Sequence, residues 1–190
     1  AAEASLNGVY SQMQDNNAFG SQPQIIGDYM ADNTLFVGSF PTLQDINNYV
    51  TTSPNGSIQG WWQQAYRIIN SANTVIDRAP GITGDPTATP DKLNAIVAQA
   101  KFLRAVTYFH LVNLFGQPFN QGNGAALGVP IILKGFTGTI EFPARSSVAK
   151  VHDQIKLDLT EAAAVLPATA AGNALRGRAT KGAAQAYLSR

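Results

Sequence analysis

The sequence predicts an all-α, TPR-like fold of irregular helical repeats joined by long loops, with an extended excursion or small β-hairpin as a side feature. Three observations carry that prediction. Residues 98–119, AQAKFLRAVTYFHLVNLFGQPF, are apolar on most sides of a helical cylinder, the mark of a helix packed from several directions. Residues 57–79 and 148–166 each carry a single apolar stripe at helical spacing. The 190 residues are 45% hydrophobic, enough to build a substantial core, and one domain spanning 1–190 is expected.

Taken in order, residues 2–14 place Leu6, Val9, Tyr10 and Met13 on one helical face, and Asp15, Asn16 and Asn17 then break the pattern. Residues 18–56 read as a long loop punctuated by Pro23, Gly27, Gly38, Pro41, Pro54 and Gly56, with a short helical turn within PQIIGDYMADN. A connection of that length is usually functional or wraps the core. The next helix follows Ile58, Trp61, Ala65, Ile68, Ala72, Val75 and Ala79; Asn55 or Ser57 can cap its start, and Pro80-Gly81 ends it. Trp61 lies on the stripe and is expected in the core. Trp62, one step off, is expected to be partly exposed.

Thr89-Pro90-Asp91 reads as an N-cap, a proline in the first turn and an acid against the helix dipole. The helix it opens should run about 26 residues, or ~39 Å. Gly116 is the expected left-handed terminator, and Pro118 blocks continuation. Arg104 is expected to anchor a neighbouring element, with Tyr108 and His110 part of the packing. Residues 117–144 are Gly-rich and lose helical period. Their β-like runs, 129–133 and 139–142, suggest an extended excursion or a hairpin. A helix then returns after Arg145-Ser146-Ser147 along Val148, Val151, Ile155, Leu159, Ala162 and Leu166, and a last one starts near Thr180. Ala98, Phe102 and Ala105 match the A-x-x-x-F-x-x-A core of a tetratricopeptide (TPR) second helix. A strict period of about 34 residues is absent, so the expected architecture is TPR-like with irregular loops.

Composition narrows function. Charged residues are 13% of the chain, about half the usual share, while 14 Asn and 13 Gln supply polarity. An amide-rich, charge-poor surface suits an extracytoplasmic protein. A net charge of +1 without a basic cluster argues against nucleic acid. No apolar run approaches the ~20 residues that span a bilayer. There is no signal-peptide core, so any targeting segment is expected to have been removed. The final residues, AAQAYLSR, read as a helix in mid-course, so a fragment of a longer chain is expected.

No catalytic constellation emerges. The absence of cysteine excludes thiol chemistry and cysteine-based metal sites. His110 and His152 lack a ligand partner at i+3 or i+4. Asp28 and Asp32 stand at helical spacing, and glycoside cleavage needs two acids, but such a pair more often caps backbone groups. Gly122, Gly124 and Gly128 lack the Gly-Lys-Ser/Thr ending of a phosphate loop. No enzyme, metal or cofactor is expected. What remains is aromatic and amide chemistry in the long loop: Phe36, Phe40 and Tyr49 with Asn33, Asn47 and Asn48. Sugar rings stack on aromatics and hydrogen-bond amides. The same rings could instead pin the loop onto the helices.

The residues also resemble a family. AKFLRAVTYFHLVNLFGQPF, above all 101–118, resembles the signature helix of the SusD/RagB family, surface lipoproteins of glycan-scavenging Bacteroidetes. LNGVYSQMQDNN, GDYMADN, GWWQQAYRIINSANTVIDRAP, FPARSSVAKVHDQIKLDLTEAAAVLP and GRATKGAAQAYLSR follow the family's order, covering essentially the whole chain. His152 departs from a common tyrosine. The resemblance is to the N-terminal part of longer proteins. It implies a non-enzymatic protein, held at the outer membrane surface by an N-terminal lipid anchor not present in this chain. That protein captures oligosaccharide or polysaccharide and delivers it, as a lid, to a SusC-like TonB-dependent transporter. It implies that the loop after GDYMADN contributes sugar-stacking aromatics, here Phe36 and Phe40. The alternative is a helical-repeat protein-interaction module without its own glycan site.

Overall fold

The computed structural model describes residues 1–31, 33–169, 172 and 176–190. Its described residues form seven α-helices and no strand: α1 Ala2–Met13, α2 Gln22–Met30, α3 Pro41–Asn47, α4 Gly56–Arg78, α5 Pro90–Phe115, α6 Val148–Val165 and α7 Lys181–Leu188. A 3-10 turn, Ala79–Gly81, follows α4. The architecture is all-α and TPR-like, as the periodicity predicts. No described helix is long and apolar enough to cross a membrane. Two compact units are distinguished, Tyr10–Arg67 and Ala1–Val9 with Ile68–Arg190.

In the larger unit α5 is the central element. It buries Ile96, Ala98, Phe102, Leu103, Ala105, Val106, Tyr108, Leu111 and Val112, residues spread around the helix. Its main partner is α6, which packs in turn on α7. The α6 stripe, Val148, Val151, Ile155, Leu159 and Ala162, is buried. The caps follow the sequence. Thr89 Oγ1 accepts from the Lys92 N–H, Ser147 Oγ from Lys150 and Thr180 Oγ1 from Ala183, each satisfying an orphan donor of a first turn.

Polar contacts tie these helices together. Arg104 on α5 makes a bidentate pair with Asp158 on α6, Nε to Oδ2 at 2.8 Å and Nη2 to Oδ1 at 2.7 Å. Its Nη1 donates to Asn73 Oδ1 on α4 at 2.7 Å. All three residues are buried, so Arg104 is the anchor its position suggests.

Two expectations change. Gly116 is extended, with φ −97° and ψ 167°, not left-handed. The Phe115 carbonyl accepts from Arg145 Nη1 at 2.9 Å, so a left-handed turn is not needed to satisfy the helix end. The hairpin does not form either. Runs 129–133 and 139–142 do not pair, and one isolated antiparallel bridge, Leu127 with Ser147, stands at the edge of the excursion. Side chains take the place of a partner strand. Asn73 Nδ2 donates to the carbonyls of Ile132 and Lys134. The Tyr108 hydroxyl accepts from the Ile132 N–H at 2.7 Å and donates to its carbonyl at 3.0 Å. The Gly135 N–H reaches Asp77 and the Phe136 N–H reaches Asn70. These contacts satisfy backbone groups of Ile132, Lys134, Gly135 and Phe136 without a partner strand.

The smaller unit differs most from the expectation of a loop. Residues 22–30 form a full helix with Pro23 in its first turn. Residues 41–47 form another, opened by Pro41, whose fixed φ suits the first helical position. Seven residues are too few to display a helical period. Asn55 caps α4 by accepting from the Ser57 and Ile58 N–H groups. Trp61 is fully buried, edge-on to Phe19 with centroids 5.4 Å apart, and Trp62 is half-buried.

Candidate functional site

Residues 29–50 of the smaller unit hold the sequence-derived candidates. Ile26 of α2 and Ile46 of α3 are buried beneath them, and α2 packs on α3. Asn55 Nδ2 donates to the Thr42 carbonyl at 2.8 Å, and Thr42 Oγ1 meets Ser57 Oγ at 2.9 Å. The start of α3 is therefore tied to the start of α4.

Between α2 and α3 the chain is held by a few polar contacts. The Asn33 N–H donates to the Asp28 carbonyl, and the Asn33 side chain is exposed. Asp32, the other half of the carboxylate pair, lies outside the described residues. The Phe36 N–H donates to Asn47 Oδ1 at 3.0 Å, and Asn47 Nδ2 donates to Asn48 Oδ1 at 3.2 Å. Both ends of the Asn47 amide thus shape the loop. The Phe36 ring is half-buried and edge-on to Tyr29, centroids 5.8 Å apart. Gly38 lies directly on that ring: a Cβ there would sit 2.8 Å from the tip of the Phe36 ring, so any larger residue would push that ring aside.

Phe40 stands at the N-terminal end of α3, 69% exposed. Tyr49 stands beyond its C-terminal end, 59% exposed, its hydroxyl donating to the Met30 carbonyl at 3.3 Å. Met30, Leu35, Val37 and Val50 are also exposed. The structure thus brings Phe36 together with Asn47, and Tyr49 with the end of α2, while Phe40 projects into solvent. Exposed aromatic and aliphatic side chains in residues 30–50 have the chemistry that stacks on apolar ring faces. Tyr29 and Gly38 support this surface and were not among the candidates; an aromatic four residues after Ile25 and a glycine two after Phe36 were the available signals.

The histidines and buried tyrosines serve packing. His110 Nε2 is 3.4 Å from the Tyr187 hydroxyl, and burial holds the imidazole below its ordinary value. Burial likewise lowers His152, whose ring is edge-on to Phe119. Burial pushes the Tyr108 phenol up to about 12, so it stays a hydrogen-bonding hydroxyl at neutral pH. Among the described residues, no group of three or more His, Cys, Asp or Glu is placed to hold a metal ion.

A SusD-like family model, described as starch-binding associating with outer membrane, matches residues 2–190. The chain belongs to the SusD-like family. SusD-like protein P2 of Formosa agariphila is 32% identical over 202 residues, covering 99% of this chain and 35% of that protein. The crystal structure of a SusD superfamily protein from Bacteroides thetaiotaomicron aligns with a TM-score of 0.85 at 27% identity, over 100% of this chain and 41% of that one. A solved structure described as a laminarin-binding SusD-like protein gives a TM-score of 0.80 at 25% identity, over 98% and 38%. The SusD-like chain thus spans well under half the length of these relatives.

Proposed function

We propose that this chain belongs to a non-enzymatic glycan-capture protein of the outer membrane surface, with residues 33–50 contributing to its sugar platform. The observation that carries the reading is the exposure of Phe40 and Tyr49 at the two ends of α3, in a chain that matches the SusD-like family over residues 2–190. A stacked ring contributes on the order of 1 kcal/mol, so a few rings give modest affinity. Retention of the sugar then depends on a partner. The fitting partner is a SusC-like TonB-dependent transporter, for which the lipid-anchored protein serves as lid and hands over oligosaccharide. Phe36, Phe40 and Tyr49 supply ring faces. Asn33 offers an exposed amide, and Asn47 holds the loop behind them.

The test is binding of the full-length protein to a polysaccharide panel headed by laminarin and starch, with Phe36→Ala and Phe40→Ala alongside. Each substitution is expected to weaken binding about 5- to 10-fold. Unchanged binding in both removes this site. A second reading is favoured by Phe136, Ile140 and Phe142, apolar and exposed on the excursion: a helical-repeat protein-interaction module without its own glycan site. Co-purification with a transporter, while every glycan fails to bind, selects that reading.

A further inference from the structure

The excursion after α5 is fastened by two unequal sets of contacts. The inner set grips Ile132 on both sides. Its N–H donates to the Tyr108 hydroxyl at 2.7 Å, and its carbonyl accepts from that hydroxyl at 3.0 Å and from Asn73 Nδ2 at 2.9 Å. Tyr108 and Asn73 are fully buried, and Asn73 is held in turn by Arg104. A grip built on shielded, coupled groups opens only with the core. Further along, the fastening changes. The Gly135 N–H donates to Asp77 Oδ2 at 2.9 Å and the Phe136 N–H to Asn70 Oδ1 at 2.8 Å, both at the surface. Lys134 Nζ lies 3.4 Å from Asp77 Oδ1, with the lysine side chain 83% exposed. Water replaces such surface hydrogen bonds at little net cost, and an exposed ion pair adds almost nothing. Residues 136–145 are all exposed. The chain is next fastened where Arg145 Nη1 donates to the carbonyls of Phe115 and Gly128, at 2.9 Å each.

Two glycines punctuate the weakly held length. A Cβ on Gly135 would stand 2.8 Å from Thr74 Oγ1 and 3.1 Å from Thr74 Cα. The second contact is helix backbone, which does not give way, so the outer grip closes fully only on a glycine. Gly138 has φ +101° with open space where a Cβ would be, a left-handed joint that glycine alone adopts freely. The same length carries the exposed apolar residues Phe136, Ile140 and Phe142. A segment gripped hard at Ile132 and Arg145, and only lightly between them, has the build of a hinged element.

We propose that residues 133–144 are a strap: the outer grip of Asp77 and Asn70 opens while Ile132 and Arg145 stay fastened, and Phe136, Ile140 and Phe142 swing together off α4 without unfolding a helix. The strap does not depend on whether a glycan binds. The experiment is residue-resolved hydrogen exchange and thermal unfolding of the full-length protein, as wild type and as Asp77→Ala and Gly135→Ala. In the wild type the Gly135 and Phe136 amides are expected to have protection factors at least about 100-fold below that of the Ile132 amide. Each substitution should lower Phe136 protection a further ~5- to 10-fold, leave Ile132 within about 2-fold, and move unfolding by no more than roughly 1–2 °C. Equal protection of the three amides in the wild type overturns the proposal, because the segment then opens only with the core. In either variant, Ile132 protection falling in step with Phe136, or unfolding lowered by several degrees, overturns it as well, because the outer grip is then part of the scaffold.

Discussion

Asn73 and Asn47 do similar local work in different surroundings. Each amide holds a loop, Asn73 the carbonyls of Ile132 and Lys134 and Asn47 the N–H of Phe36. Asn73 is fully buried and backed by the Arg104–Asp158 pair. Asn47 is half-buried and backed by Asn48. A hydrogen bond shielded from water and coupled to an ion pair leaves no cheap substitute when it is broken, whereas water can replace one at the surface. The first arrangement should bear stability. The second should shape a surface at little energetic consequence. That difference separates a helical scaffold that carries stability from an exposed loop whose contacts shape a surface.

The largest expected effect breaks the buried side of this comparison. Arg104→Ala leaves the Asp158 carboxylate buried without its cation and should cost about 3–5 kcal/mol in urea denaturation. Asn47→Ala should cost only about 0.5–1.5 kcal/mol. Equal costs would erase the distinction. Next in size is a contrast within the exposed segment. Phe36 is half-buried against Tyr29, so Phe36→Ala should lose about 1–2 kcal/mol of stability along with binding. Phe40→Ala should change stability by less than about 0.5 kcal/mol. A matching loss in both would make Phe40 a packing residue.

The smallest effect concerns pH. Burial, aided by the Arg190 charge, holds His110 below its ordinary 6.5. As pH falls from neutral, the unfolded chain therefore takes up the proton first. Stability should decline as pH drops through 6.5 towards the lower folded value and level off below it. Denaturation at pH 7.5 and 5.5 should show this slope, and His110→Gln should flatten it. Burial of His152 acts in the same direction, partly opposed by Asp153, so the slope should not vanish. An unchanged slope in His110→Gln would show that this ring does not carry the effect.

The helices α1, α4, α5, α6 and α7 were legible because stripe, cap and stop are all local signals. Thr89, Ser147 and Thr180 cap where their positions in the sequence place them. The helix α3 was not, because its seven residues complete barely two turns and Pro41 reads equally as a breaker. The excursion is extended as one of its two readings had it, and no hairpin is seen because side chains of α4 and α5 meet the backbone of residues 132 and 134–136 instead of a partner strand. Part of the candidate site was legible as aromatics in a long loop. Tyr29 against Phe36, Gly38 against the same ring and the left-handed Tyr49 (φ +58°) were not, since each depends on where α2 and α3 end.

By itself the sequence determined the fold class, the main helices, the buried character of α5 and the family resemblance. All of these rest on residue spacing within single segments or on motifs in their order. Only the tertiary structure decided what the polar groups do. Asn73 meets Ile132 across 59 positions and Arg104 meets Asp158 across 54. No local period encodes such pairings; they arise when helices pack and exclude water, and each buried donor must then find an acceptor.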